Sequence, residues 1–264
     1  MALSVAMVAF GVASVAALYL VFVRTGPGQR LDQESLLRVD ADPHLTRDIA
    51  RVLNDLSIGL GIAVLVACMA VALVRGRIRH AIAAAVLVGG ANLTTQLLKH
   101  VWLTRPDFGF GTGNSLPSGH TTVAVSLTLA MLLVVPGISR VVVVLAGSVA
   151  ASLVGVGLVV AGWHRPSDVV AALGVCLAWS GLVSLWLLLR SREPAPPKSR
   201  LTGRGHWPAA LVATVVVVAL AYAFGLRPDG TWQDLAVHGF TVCAIALATA
   251  LCLALSARVM PEER

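Results

Sequence analysis

Three short polar groups interrupt an otherwise strongly apolar chain, and their residue types suit the handling of an oxyanion. The first is Asn92, Gln96 and Lys99, with His100 and Arg105-Pro106 close behind. A spacing of i, i+4 and i+7 puts the first three on one helical face. The second is N-S-L-P-S-G-H-T-T, Asn114 to Thr122, and the third is A-G-W-H-R-P-S-D, which carries His164 and Asp168. Lys99 offers a point charge and Arg105 a planar fork for phosphate oxygens. A helix beginning at Gly119 would add unpartnered amides and the positive end of its dipole. Gly119 lets that backbone come close to a ligand, and Ser118 supplies a hydroxyl donor. Together these make a phosphate cradle. His164 and Asp168 lie about one helical turn apart, so the carboxylate can hold the imidazole in one tautomer and raise its basicity. His120 sits on a different segment and is free to act as a separate acid. Simpler readings exist for each alone: Ser118 and Asp168 as helix caps, Lys99 as a snorkelling anchor. Three such clusters at one end of apolar segments, where ionisable groups are costly, argue for a site.

The elements that must position these residues are transmembrane helices. Of the 264 residues, 57% are hydrophobic and 12% charged, against about 25% charged in soluble domains; mean hydropathy is +0.84. Eight unbroken apolar segments, about 2–23, 53–74, 79–101, 119–135, 139–162, 168–189, 208–225 and 234–256, are long enough to cross a bilayer. Unbroken runs exclude a β-barrel, whose strands alternate. The expected fold is an all-α polytopic transmembrane helix bundle. Arg75, Arg77, Arg79, Arg140 and the loop with Arg190, Arg192, Lys198, Arg200 and Arg204 fall on one side, as do Arg258 and Arg264. The positive-inside rule makes that side cytoplasmic. Both termini are then cytoplasmic, and the three polar clusters lie on the extracytoplasmic side. The Pro-rich stretch E-P-A-P-P-K-S-R divides the chain into a six-span core at 1–190, a linker at 191–207 and a two-span C-terminal appendage at 208–264. In the first outer connection, Asp42-Pro43 has helix-start chemistry. The run from Ala2 to Val23 lacks a basic leader and reads as a retained first span.

The net charge of +7 invites a nucleic-acid reading, but the arginines sit in short connections and no binding motif accompanies them. Cys68, Cys176, Cys243 and Cys252 lie in apolar runs without paired spacing and read as packing residues. His44, His80, His206 and His238 lack metal-ligand spacing. Gly155 and Gly157 suit close helix packing, Trp102, Trp163, Trp207 and Trp232 suit an interfacial belt, and F-G-F-G-T-G, Phe108 to Gly113, reads as a connector.

P-S-G-H at 117–120 with H-x-x-x-D at 164–168, preceded by Lys99 and Arg105-Pro106, resembles the signature of the type-2 phosphatidic acid phosphatase superfamily. The resemblance implies a six-helix core and metal-independent, cofactor-free removal of phosphate from a lipid phosphate or diphosphate at the cell membrane. It implies His164 as nucleophile through a phosphohistidine, Asp168 behind it, and His120 as proton donor to the leaving alcohol. Lys99, Arg105, Ser118 and the Gly119 amide would hold the phosphoryl oxygens. Two departures stand out. Five residues, not six, separate Lys99 from Arg105, a rotation of about 100° if that stretch were helical unless the helix ends near Trp102. The family's Ser-Arg of the third motif is Gly157-Leu158 here, so one phosphate-clamping arginine is missing, and Arg165 is the candidate substitute. Polyprenyl phosphate or diphosphate, phosphatidate and phosphatidylglycerol phosphate all fit as substrates. Two other classes compete: an impaired lipid-phosphate-binding or transport protein of the same fold, and a metal hydrolase using His120, His164 and Asp168. The first would want polar residues across the bilayer midplane, and the second more carboxylates.

Overall fold

The structure, a computed structural model, describes residues 1–37, 43–55, 58–190, 200–223 and 232–261. The Pro-rich stretch of the linker with Arg192 and Lys198, Asp42 of the expected helix start and Arg264 of the tail lie outside the described residues, as do the side chains of Arg200, Arg204 and Trp232. Among the described residues ten α-helices follow one another: α1 (Ala2–Leu18, continued by a π-helical turn, Tyr19–Val23), α2 (Gly26–Leu37), α3 (Pro43–Asp55), α4 (Ile58–Val74), α5 (Ile78–Leu97, continued by a π-helical turn, Leu98–Trp102), α6 (Gly119–Val134), α7 (Ser139–Val160), α8 (Pro166–Arg190), α9 (Arg200–Ala223) and α10 (Trp232–Val259). No strand occurs among the described residues.

Six of these elements are long and apolar enough to cross a membrane, so the chain is a multi-pass helical membrane protein. They are Ala2–Val23, Ile78–Trp102, Ser139–Val160, Pro166–Arg190, Gly205–Ala223 and Leu235–Val259. All eight apolar segments of the sequence are helical over most of their described residues, but the second and fourth differ from expectation. The second is entered through a bent pair, Pro43–Asp55 and Gly59–Val74, because the apolar run starts only after the polar, amphipathic α3. The fourth, Gly119–Val134, has 16 residues and is about 24 Å long, short of the ~30 Å hydrocarbon layer.

At the centre stands α8, flanked by α1, α5, α6 and α10. Its most apolar window is 67% buried, against 17% for α1, which packs along α8 and turns its other faces outward. Lipid tails give helices no hydrophobic reason to associate, so close van der Waals fit must hold them, and small residues allow it. A Cβ on Gly11 would lie 2.5 Å from the Gly174 carbonyl oxygen, and one on Gly181 would lie 2.6 Å from that of Ser4. The C-terminal pair is joined to the same interior: α9 packs on α7, and α10 on α7 and α8. Ala210, Leu253 and Ala254 share an apolar core with Met7, Leu129 and Leu132. Of the cysteines, Cys68, Cys176 and Cys252 are buried and Cys243 is exposed.

Arginines gather at one end of the bundle, on the C-termini of three helices. Arg75 Nη1 donates to Val134 O at 3.0 Å, Arg79 Nη1 to Arg190 O at 2.7 Å, and Arg140 Nη2 to Ala257 O at 2.8 Å. Cations there satisfy last-turn carbonyls and complement the negative end of the dipole. The polar clusters of the sequence occupy the opposite end. Gly174→Val forces a side chain into the α1 backbone and should cost about 1–3 kcal/mol, several degrees of thermal midpoint in detergent. Gly89→Ala, where an added Cβ meets nothing within 4 Å, should leave the midpoint in place.

Candidate active site

Helical hydrogen bonding ends three residues after Lys99, with Leu103 N donating to Leu98 O at 3.0 Å. The π-helical turn Leu98–Trp102 closes on an extended Leu103, so the segment from 103 to Arg105 is not helical and the rotation expected from the shortened spacing does not arise. Arg105 is buried and its Nε donates to Gly111 O at 3.3 Å. Asp107 Oδ1 in turn accepts from the amides of Gly109 (2.8 Å) and Gly111 (3.3 Å). The Gly-rich stretch read as a connector thus presents a carbonyl to Arg105. Asn114 ties the loop back to α5: its Nδ2 is shared among the carbonyls of Lys99, Leu103 and Leu116 at 3.2–3.3 Å.

Ser118 is the N-cap of α6, fully buried. Its Oγ accepts from Thr121 N at 3.4 Å and from Thr121 Oγ1 at 3.1 Å. The capping alternative for this residue is therefore the one its contacts describe, although its own hydroxyl proton is still available. Ser118 N donates to Asp168 O at 2.9 Å, joining the starts of α6 and α8. At Gly119 the nearest atom to an added Cβ is Gln96 Nε2 at 3.6 Å, so there is room beside the start of α6, where Thr121 N is already capped by Ser118. First-turn N–H groups have no intrahelical acceptor.

His164 Nδ1 lies 3.3 Å from Asp168 Oδ2. The same oxygen accepts from Ser115 Oγ at 2.7 Å and from Arg165 N at 2.9 Å. With Nδ1 on the carboxylate, Nε2 is the ring nitrogen that looks outward. Leu158, in the place of the family's arginine, is fully buried, and its carbonyl accepts from the amides of Trp163 and His164. Arg165 donates from Nη1 to Ser115 Oγ and from Nε to Gln33 Oε1, both at 3.1 Å.

A cavity of about 520 Å3 collects Asn92, Gln96 and Lys99 from α5, Gly119 and His120 from α6, and His164. The two imidazoles whose convergence the sequence required therefore face one space. Arg105, Ser118 and Arg165 are not among its lining residues; Arg105 and Arg165 lie close enough to repel each other. Beyond the histidines the walls become apolar, with Val123, Leu127 and Met131 of α6, Leu60 and Val64 of α4, and Ala151 and Val154 of α7. The His120 ring packs against Trp163, centroids 5.8 Å apart. Among the described residues no three His, Cys, Asp or Glu side chains are grouped as metal ligands.

Residues that motif reading passed over complete the surroundings: Asn114, Ser115, Trp163 and, from α2, Gln29, Asp32 and Gln33. The three α2 residues are spaced i, i+3, i+4, a pattern visible in the sequence but without a known target there. Ser167 donates to Asp32 through both its amide (3.1 Å) and its hydroxyl. Burial, then the Arg165 charge, holds the Arg105 pKa below its ordinary value, opposed by Asp168, Asp32 and Asp107. Burial pushes the Asp32 carboxyl up to about 6, with the Asp168 charge adding and the Ser167 hydrogen bonds and Arg165 opposing.

A folded-state pKa above the ordinary 3.8 means that the stability Asp32 contributes is complete below about pH 4 and lost as pH rises through 6. Asp32→Asn keeps both Ser167 partners and carries no charge. Its melting midpoint should exceed the parent's at pH 8 and match it near pH 4 in scanning fluorimetry.

Residues 60–192, half of the chain, match the model of the PAP2 superfamily. No curated protein matches the chain. Among solved structures, the crystal structure of the first transmembrane PAP2 type phosphatidylglycerolphosphate phosphatase from Bacillus subtilis matches at 20% identity with a TM-score of 0.55, covering 74% of this chain and 100% of that one. At that identity the likeness speaks for the fold, which is the polytopic helical bundle described above. With half of its length matched by the family model, over the segment that carries all three polar clusters, the chain belongs to the PAP2 superfamily.

Proposed function

We propose that the protein is an integral membrane lipid phosphatase, acting on a phosphomonoester or diphosphate of a lipid at the extracytoplasmic face of the cell membrane. The observation that carries this reading is the cavity shared by His120 and His164. It is polar and cationic at the end of α5 and the start of α6, and apolar along α4, α6 and α7. A phosphate headgroup and a hydrocarbon tail need those two environments side by side. Polyprenyl phosphates and diphosphates, phosphatidate and phosphatidylglycerol phosphate all have this form.

In the proposed reaction His164 Nε2 attacks phosphorus, forming an N–P bond while the bond from phosphorus to the lipid alcohol (or lipid phosphate) oxygen breaks. His120 gives its proton to that leaving oxygen. Asp168, on Nδ1, stabilises the positive charge that develops on the His164 ring. A water then attacks phosphorus, His120 takes its proton, the N–P bond breaks and phosphate leaves. Lys99, the Gly119 amide and the dipole of α6 neutralise the phosphoryl oxygens. Ser118 fixes those amides, with Arg105 and Arg165 as the cationic wall behind. Family likeness, the positive-inside arrangement of the arginines and the spacing of His164 from Asp168 support the assignment.

His164→Ala in purified protein should abolish phosphate release from phosphatidate or polyprenyl diphosphate, vanadate should inhibit, and EDTA should not. Turnover that survives His164→Ala would overturn the assignment. A parent protein that binds lipid phosphate without releasing phosphate would be a receptor of the same fold, a reading that the buried Leu158 favours. Arg165→Ala should lower turnover by up to about 10²-fold, by releasing Ser115 and Gln33 and displacing the His164-to-Asp168 turn; turnover equal to the parent's would remove Arg165 from the catalytic machinery.

A further inference from the structure

The helix α2 lies outside the residues that match the family model, yet one of its faces reaches both halves of the site. Gln29 Nε2 donates to Pro106 O at 2.8 Å, next to Arg105, and also to Val23 O at 2.8 Å. Asp32 accepts from the Ser167 amide and hydroxyl, at the first turn of α8 and beside Asp168. Gln33 Oε1 accepts from Arg165 Nε at 3.1 Å. Gln29 and Asp32 are buried, at 0% and 3% exposure. Polar groups so buried are costly unless partnered, and here Gln29 Nε2 and both Asp32 oxygens find partners on segments that carry the proposed catalytic residues.

The helix is itself held firmly. Thr25 Oγ1 donates to Val21 O at 2.6 Å and accepts from Gly28 N at 3.1 Å. A Cβ at Gly28 would lie 1.9 Å from Val21 O, so only glycine permits α2 to fold back on the end of the first span. That span packs along α8 through Gly11 and Gly174. The load path is closed: α8 supports α1, α1 anchors α2, and α2 returns to the first turn of α8 and to the Arg105 loop.

We infer that the Gln29, Asp32 and Gln33 face of α2 is a positioning clamp, which sets the Arg105 loop against the His164-to-Asp168 turn through hydrogen bonds. This rests on the phosphatase reading for its effect on turnover, but not for its effect on structure. None of these residues lines the shared cavity, so the clamp governs the reaction step and leaves capture of the lipid tail alone. Displacements of about 1 Å in a catalytic group can cost about 10²-fold in rate.

The test uses the full-length protein with Asp32→Ala, Gln33→Ala and Asp32→Asn. Asp32→Ala removes both acceptors, whereas Asn can still accept from the Ser167 amide and donate to its hydroxyl. With phosphatidate in mixed micelles, Asp32→Ala should lower kcat by about 10–100-fold with KM within threefold. Asp32→Asn should recover kcat to within about threefold of the parent, and Gln33→Ala should fall between. Hydrogen–deuterium exchange should accelerate over residues 163–170 in Asp32→Ala and stay at the parent rate over 140–156. Exchange over 163–170 that is unchanged in Asp32→Ala overturns the clamp, whatever the activity. So does a kcat that stays within twofold of an active parent, or a loss that appears equally in KM. If the parent releases no phosphate that His164→Ala lacks, the phosphatase reading fails, and the exchange measurement alone decides the clamp.

Discussion

One carboxylate oxygen organises the end of this molecule that carries the two facing histidines. Asp168 Oδ2 receives the His164 ring, the Ser115 hydroxyl and the Arg165 amide, while the Asp168 carbonyl receives the Ser118 amide. A buried anion is tolerable only when its lone pairs are filled, and filling them pulls three separate stretches of chain to one point. The start of α6, the α7–α8 turn and the loop after α5 are thereby in mutual register. The imidazole orientation, the free amides of α6 and the position of Arg165 all follow from that demand. Removing the charge would leave three donors without their acceptor.

Much of this was legible in the sequence, because lipid leaves few ways to place polar groups. Eight apolar runs became helices since a hydrocarbon environment satisfies backbone groups in little else. Asn92, Gln96 and Lys99 share a wall because i, i+4, i+7 spacing permits nothing different on a helix. The four-residue step from His164 to Asp168 gave a direct contact because the bend before α8 brings the imidazole back onto the first turn of that helix. The parts that escaped depend on long-range partners. Gln29, Asp32 and Gln33 have helical spacing, but nothing local says that their acceptors and donors lie on Pro106, Arg165 and Ser167. Asn114 looked like part of a turn; its role in bridging α5 to the loop requires the fold. Arg165 matched the need for a second guanidinium, yet its fork is spent on Ser115 and Gln33.

The C-terminal helices show the same logic at the other end. Arg140 is fully buried and spends its guanidinium on carbonyls at the end of α10, Ala257, Met260 and Pro261. Those contacts tie the start of α7 to the end of α10, so α10 closes the bundle and α7 contributes the closure. Alanine and small polar residues then let α10 come close to α8, whose carbonyl at Leu173 receives the Cys252 thiol.

The apolar part of the shared cavity follows α6 from His120 to Met131, eleven residues and therefore about 16 Å. Half the hydrocarbon thickness of a bilayer is about 15 Å. On the proposed function a trough of that length suits the tail of a lipid from one leaflet, whose headgroup would reach the imidazoles from the monolayer on that side. A molecule made in the opposite monolayer would then need to be flipped before use, and its product would start its onward route where it was cleaved.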